Sequence, residues 1–207
     1  MNGIHLSIFE TMTYLGKILI TNTEEKVLIG ARQCFFRHGY KASNMTLISE
    51  YAGYSRATIH KYFKNKDDAF CQVIHQFQQQ ANDACQPILA QNLECWESIN
   101  LVMQAWLKPT FDEVNDQHIL NDLKYHAQHI AKDTFEQARQ DVEDIFCTLL
   151  ETAEQQGNLS LDNLPINARK LSRLLLASLD GLRGHLEKQN LEQASNDILR
   201  IFQLACR

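Results

Sequence analysis

The sequence predicts an all-α protein, with a small N-terminal head of three helices joined to a larger helical domain. Apolar residues recur at helical spacing along most of the 207 residues, and no stretch of useful length alternates as a strand does. Only 8 glycines and 3 prolines interrupt the chain. With 44% apolar residues, a chain of this length can bury a sizeable core.

The first helix of the head is predicted from its ends and from one apolar stripe. Asn22 and Glu25 form a capping box that begins the helix. Gly39 ends it, because glycine takes a left-handed backbone without strain. The apolar stripe consists of Val27, Leu28, Ala31, Cys34 and Phe35.

Two short helices around Gly53 predict a helix-turn-helix at about residues 45–64. Asn44 and Ser55 supply the N-caps, and Gly53 supplies the left-handed residue between the helices. The inward-facing apolar pairs are Ile48 with Ala52 and Ile59 with Phe63. The residues that the second helix turns outward, towards a DNA major groove, are Arg56, Ala57, His60 and Lys61.

Charge is distributed unevenly along the chain. Residues 24–66 carry eight basic and three acidic side chains, a net charge of +5, whereas residues 67–207 have a net charge of −10. The whole chain carries −5. Because a phosphate backbone attracts localised basic charge, we expect the head to bind a double-stranded DNA operator.

The helix-turn-helix also resembles a known family. From Ile48 to Lys66 the chain has the pattern Ile-Ser-x-x-Ala-Gly-Tyr-Ser-x-Ala-Thr-Ile-His-x-Tyr-Phe-x-Asn-Lys. This pattern is similar to the signature of TetR-type transcriptional regulators, and the resemblance covers roughly residues 23–83. Three positions depart from it: Ala57 stands where glycine is commonest, His60 where tyrosine is usual and Tyr54 where valine is usual.

The resemblance implies DNA-contact roles position by position. Arg56 is expected to contact a base edge, with Thr46 and Ala57 beside it. The residues expected at phosphates are Thr58, His60, Tyr62 and Lys66. Ser55 and Lys61 complete the predicted DNA-binding surface.

The head is predicted to span residues 22–82 and the helical domain residues 83–207. Asn65 and Asp68 form a second capping box, which begins a fourth helix near Lys66 and extends it towards Pro87. Further helices are predicted at about 92–107, 111–117, 118–156, 165–188 and 191–205. Residues 1–21 could be an extra helix or a disordered arm, or they could result from translation that starts earlier than a native start at Met12. Their apolar run is too short to span a membrane.

Large and polarizable side chains concentrate in the middle of the chain. They are Trp96, Met103, Trp106, Phe111 and Tyr125. Such a cluster is also typical of an ordinary core. Because TetR-type proteins enclose a small-molecule pocket in the corresponding helices, the resemblance implies that these residues line a pocket for an effector.

The predicted helix at 165–188 carries apolar residues on more than one face, and the last helix adds an apolar stripe of its own. We expect them to form a four-helix interface with a twofold-related copy, and the resemblance also implies a homodimer. The predicted interface residues are Leu171, Leu175, Ser178, Leu182, Ile198 and Phe202. The alternative is that both helices fill their own core.

Two further residue patterns are present, and neither predicts a cofactor. One helical stripe could ligate a transition metal, although simple i, i+4 pairs on a solvated face explain it better. This stripe contains His118, Asp122, His126, His129 and Asp133. The six cysteines form no C-x-x-C pair, which predicts reduced, mostly buried thiols of a cytoplasmic protein and leaves a redox switch as the alternative.

The sequence therefore predicts a homodimeric transcriptional repressor that a small molecule releases from a palindromic operator. No enzymatic activity is expected, since the chain has no glycine-rich phosphate loop, G-x-S-x-G or H-E-x-x-H motif. The alternatives are a non-repressing co-regulator or protein-interaction dimer, and a metal-responsive regulator that uses His118, His126 and His129.

Overall fold

A computed structural model describes residues 22–114, 116–162, 164–185 and 188–206, with the backbone alone at 107–113, 183–185 and 188–189. The described residues form helices and no strands, which confirms the all-α prediction. The helices are α1 (Thr23–Ala42), α2 (Met45–Ala52), α3 (Arg56–Tyr62), α4 (Lys66–Leu89), α5 (Cys95–Glu113), α6 (Gln117–Ile130), α7 (Lys132–Gln155), α8 (Ala168–His185) and α9 (Lys188–Ala205). None of the helices in these ranges is long and apolar enough to cross a membrane. The predictions for residues 1–21 lie outside the described residues.

The chain divides into two compact units, which are the head, up to Val73, and the helical domain, from Ile74 onward. The sequence pattern predicted this boundary after residue 82. Since α4 runs without interruption from Lys66 to Leu89, the division falls inside a helix. A boundary of this kind leaves no glycine, proline or linker that a sequence pattern could show.

The head has a core of small and aromatic side chains, all of them almost fully buried. The core includes Val27, Ala31, Cys34, Phe35, Ile48, Ile59, Phe63, Ala69, Phe70 and Val73. The Phe70 ring meets Phe35 edge-on at a centroid distance of 5.1 Å and Tyr40 at 5.0 Å. These contacts join the end of α1 to the first two turns of α4.

The predicted start of α1 agrees with its backbone, whereas its predicted end is a kink inside the helix, which continues to Ala42. The Asn22 side chain accepts a hydrogen bond from the Glu24 amide at 3.2 Å and begins the helix. Gly39 has φ 77° and ψ 172°, which interrupts the helical conformation where the sequence predicted an end. The Ser43 hydroxyl then donates to the Gly39 carbonyl at 2.6 Å, so this turn is fixed by a buried hydrogen bond.

α1 and α2 approach each other closely at Gly30. A Cβ atom placed on this glycine would lie 2.4 Å from the Cα and 2.6 Å from the backbone nitrogen of Ala52. Both neighbours are backbone atoms, which cannot rotate away. The crossing of the two helices therefore requires glycine at position 30.

The helical domain departs from its predicted helices at two places. The segment predicted as one helix over 118–156 is two helices, since Ala131 has φ −105° and ψ 38° and separates α6 from α7. No glycine or proline marks that position, so the sequence carried no pattern for the break. Conversely, α5 continues past Pro109 to Glu113 although a break was predicted there. A proline costs a helix one hydrogen bond without always ending it.

The core of the helical domain is formed by α4, α5, α7, α8 and α9. Its fully buried large side chains include Ile99, Met103, Phe146, Leu150, Leu171, Leu175 and Leu176. Hydrogen bonds between helices add to this packing. Gln78 and Asn82 of α4 both donate to the Asp141 carboxylate of α7, at 3.1 and 2.9 Å. Arg173 of α8 donates two hydrogen bonds to Glu143 of α7.

Candidate nucleic-acid interface

The backbone between α2 and α3 forms the predicted helix-turn-helix. The Asn44 side chain accepts hydrogen bonds from the amides of Thr46 and Leu47, both at 3.0 Å. Gly53 follows α2 in the left-handed region, with φ 70° and ψ 26°. Ser55 then caps α3 by accepting from the Thr58 amide at 3.2 Å. All three local predictions are therefore confirmed.

α3 packs against the core of the head on one side and is exposed on the other. Ile59 is fully buried and Phe63, which follows the helix, is 1% exposed. Of the seven residues in α3, Ile59 is the only buried one. Because its packing depends on so few side chains, the rest of α3 is free to face a partner.

The residues that were predicted to contact DNA lie on this outer surface. The exposed ones are Thr46, Ser55, Arg56, Ala57, His60 and Lys61, and the half-buried ones are Thr58, Tyr62 and Lys66. The Thr58 hydroxyl lies 3.0 Å from the Ser55 hydroxyl, so part of its hydrogen bonding serves the cap. These positions fit the predicted contacts, which stay predictions.

Lys66 has a structural role that the sequence did not indicate. Its ammonium donates to the Tyr40 carbonyl at 3.1 Å and lies 4.0 Å from the centre of the Tyr40 ring. The Tyr40 hydroxyl in turn donates to the Asp67 carboxylate. Lys66 therefore ties the start of α4 to the end of α1, besides any contact with phosphate.

A cleft opens beside the first residue of α3, with a volume of about 490 Å³. It is lined by Asn44, Met45, Thr46, Leu47, Glu50 and Arg56. Glu50 was absent from the predicted site, because a carboxylate is not expected on a surface that meets phosphates. Its spacing of four residues from Thr46 was the only pattern in the sequence that could have pointed to it.

The predicted pocket residues do not form one cluster in the helical domain. Trp96 and Met103 belong to the buried core, at 8% and 1% exposure, and Trp106 is half-buried against it. Tyr125 is 54% exposed and stacks on the His129 ring at 4.2 Å, so its prediction as a pocket residue is corrected. Tyr125 lies two residues from the buried Leu123 and from the buried Ala127, so it falls outside the buried face of α6. The Phe111 side chain lies outside the described residues.

Two of the predicted interface residues lie in the core of their own chain. Leu171 is 2% exposed and Leu175 is fully buried, which corrects their prediction as interface residues. The half-buried members of the predicted set are Ser178, Leu182, Ile198 and Phe202. The large apolar side chains that α8 and α9 leave exposed are Leu174, Ile201 and Leu204, at 47%, 64% and 50%. Helical spacing alone could not show which side of α8 packs against other helices of the same chain.

The histidine stripe is divided between two helices. His126 lies 3.4 Å from the Asp122 carboxylate, and the His129 Nδ1 atom lies 2.6 Å from the Tyr125 carbonyl. Asp133 belongs to α7, beyond the break at Ala131. Within the described ranges, no group of three or more histidine, cysteine, aspartate or glutamate side chains could hold a metal ion.

The cysteines are free thiols, and all of them except the half-buried Cys71 are buried. Burial raises the pKa of the Cys85 thiol to about 11. Burial, with smaller contributions from Glu94 and Cys206, raises the pKa of Cys95 to about 12. Thiols in this state are protonated near neutral pH, as expected of reduced core residues.

Fold and site together define a helix-turn-helix DNA-binding protein. A model of the bacterial regulatory proteins of the tetR family matches residues 27–71. The repressor BepR of Brucella suis is 25% identical over 77% of this chain and 78% of its own length. The repressor AcnR of Corynebacterium glutamicum is 38% identical over 24% of this chain, and the match spans 27% of AcnR.

The solved structures that resemble this fold include FadR of Bacillus subtilis, a transcriptional regulator in complex with stearoyl-CoA. It has a TM-score of 0.71 and 17% identity, and the match covers 88% of this chain and 99% of FadR. The family model and the curated relatives agree with this likeness in fold. In the sequence of its head and in its fold, the chain is similar to transcriptional regulators of the TetR family.

Proposed function

We propose that this protein is a homodimeric repressor, which binds a palindromic operator and leaves it when a small molecule occupies the helical domain. The observation that carries the proposal is the orientation of α3. Ile59 faces the core, whereas Arg56, His60 and Lys61 are exposed on a basic head. A short helix held in this way can enter a major groove.

The proposed contacts with DNA are of two chemical kinds, those to base edges and those to phosphates. Arg56, at the first position of α3, can donate two hydrogen bonds to a guanine edge, with Thr46 and Ala57 beside it. Hydroxyl, imidazole and ammonium groups further along the surface suit phosphate oxygens, which fix the orientation on the duplex. This second group consists of Ser55, Thr58, His60, Lys61, Tyr62 and Lys66.

Dimerisation is supported by the surface of α8 and α9. Among the described residues, five large hydrophobic side chains are exposed, and three of them are Leu174, Ile201 and Leu204. Ala177 and Gly181 lie three and seven residues beyond Leu174, so the neighbouring residues on this side of α8 are small and apolar. A twofold copy would cover these side chains and would supply the second half-site contact.

Repression and release are supported by the relatives. BepR and AcnR are both repressors, and the FadR structure holds stearoyl-CoA in a protein of the same fold. A small molecule can release this protein only if it binds the DNA-free state more tightly than the DNA-bound state. We expect α4 to carry the effect, since its residues belong to both the head and the helical domain.

The test is selection of randomised DNA duplexes by the purified full chain, followed by binding measurements at several salt concentrations. The proposal expects an enriched palindrome with two half-sites, bound by two copies of the chain. Arg56→Ala should lose preference at one base pair in each half-site, with a cost of about 1–3 kcal/mol. Failure of the wild type to enrich any sequence, or binding as a single copy to one half-site, would contradict the proposal.

A further inference from the structure

We propose that Glu50 is a specificity-determining residue, which accepts a hydrogen bond from the exocyclic amino group of a cytosine in the operator. This inference rests on the proposed function and extends it to an acidic residue. The cleft beside α3 contains both Glu50 and Arg56, on the surface that is proposed to meet the major groove.

The position of Glu50 follows from helix geometry. It lies four residues after Thr46 on α2, so the two side chains occupy the same face one turn apart. Arg56 begins α3 and lines the same cleft, with the turn around Gly53 between them. The cleft therefore brings residues from both helices of the helix-turn-helix to a single place.

The hydrogen-bonding groups of this cleft are complementary. The Arg56 guanidinium can only donate, and the ionised Glu50 carboxylate can only accept. Both side chains are exposed, and neither has an ion pair with another residue in the described part of the chain. Both are therefore free to meet groups on DNA.

A G·C base pair presents the matching pattern in the major groove. Guanine offers the acceptors O6 and N7, and cytosine offers the donor N4. Arg56 suits the guanine edge, and Glu50 suits the cytosine of the same or the adjoining pair. Without such a donor, the Glu50 carboxylate would face acceptors and phosphates with no partner, so Glu50 also disfavours the wrong sequence.

A competing role for Glu50 is general repulsion of DNA, in which the charge matters and the position does not. Glu25 separates the two roles, since it is an exposed glutamate in the first turn of α1 and does not line the cleft. Glu50→Gln and Glu25→Gln each remove one negative charge from the head. Only Glu50→Gln changes the groups in the cleft, and glutamine prefers the N6 and N7 atoms of adenine.

The experiment selects randomised duplexes with the full-length wild type, Glu50→Gln, Glu25→Gln and Arg56→Ala. The wild type should enrich cytosine at one position that Glu50→Gln converts to adenine or leaves without preference. The ratio of the affinity for the cytosine sequence to the affinity for the adenine sequence should be about 5- to 150-fold lower in Glu50→Gln than in the wild type. The guanine preference that Arg56→Ala removes should persist in Glu50→Gln, and Glu25→Gln should keep the wild-type consensus.

The outcomes separate the two proposals. A wild-type consensus that Glu50→Gln leaves unchanged at every position would overturn the role of Glu50 alone. That role also fails if Glu50→Gln and Glu25→Gln strengthen binding to all sequences equally, because the charge would then act without regard to sequence. A wild type that enriches no sequence would overturn the proposed function and the role of Glu50 with it.

Discussion

A Cβ atom on Gly30 would lie 2.4 Å from the Cα of Ala52, which leaves no room for a side chain at position 30. Ala52 is the last residue of α2 and precedes the glycine of the turn. The contact between these two residues therefore helps to set how the helix-turn-helix packs on α1. A disturbance there should reach α3 without touching any residue that is proposed to contact DNA.

Gly30→Ala is predicted to destabilise the head. Alanine gains about 1 kcal/mol in helix propensity over glycine, but the collision with backbone forces a shift that costs about 1–3 kcal/mol or more. Chemical unfolding followed by circular dichroism, together with DNA affinity, measures the net loss. Adding Ala52→Gly should not rescue the variant, since the Cα and amide nitrogen of residue 52 remain in place. A full rescue would show that the Ala52 methyl group is the obstacle.

Lys66→Ala and Lys61→Ala are predicted to weaken DNA binding for different reasons. Lys61 is exposed, so its loss should lower affinity for all sequences and reduce the salt slope by about 0.9 without changing stability. Lys66 also holds Tyr40 through its hydrogen bond and ring contact, so its loss should cost about 1–2 kcal/mol of stability as well. Unfolding curves and salt titrations on both variants separate the effects. Equal stabilities would argue that the Tyr40 contact contributes nothing.

Leu174→Glu and Leu175→Glu form a matched pair on α8. Leu174 is 47% exposed and Leu175 is fully buried, although they are neighbours in the chain. Leu174→Glu should leave a folded chain that sediments as a monomer and loses operator affinity, because an unpaired charge would be buried in a dimer interface. Leu175→Glu should unfold the helical domain instead. A dimeric Leu174→Glu with normal affinity would place the interface elsewhere.

Native thiols are predicted to react unequally with an aromatic disulfide reagent at a mildly alkaline pH. Burial raises the pKa of Cys85 to about 11 and of Cys95 to about 12, and the thiolate is the reactive form. Cys71 is half-buried and should react first, even though burial and the carboxylates of Asp67 and Asp68 raise its pKa too. Cys71→Ala should remove the fast phase, and denaturant should release the remaining thiols. Rapid labelling of Cys85 in the folded state would contradict the assigned core.

The local features of the head could be predicted because each depends on residues close in sequence. The caps at Asn44 and Ser55 and the turn at Gly53 involve only residues within four positions in the sequence. The burial of Ile59 and Phe63 follows from their helical spacing. Glu50 and Lys66 could not be placed in the same way. Their neighbours, Arg56 and Tyr40, come from other helices, so their roles appear only when the chain is folded.

In the helical domain, periodicity indicated which residues are apolar but not what covers them. Leu171 and Leu175 share a stripe with residues that were expected at an interface, yet α7 and α9 already bury them in the same chain. The break at Ala131 has no local cause in the sequence, since alanine favours a helix. Packing between helices distant in sequence decided both features.

The near absence of buried residues in α3 separates what the protein recognises from what makes it fold. Ile59 anchors the helix, Phe63 closes it, and Ser55 sets its start through a bond to the backbone. The outward positions contribute little to the core, so substitutions there should alter the proposed DNA contacts at small cost in stability. Regulators with new operators can thus arise from this chain by exchanging a few exposed side chains, while the same scaffold continues to fold as before.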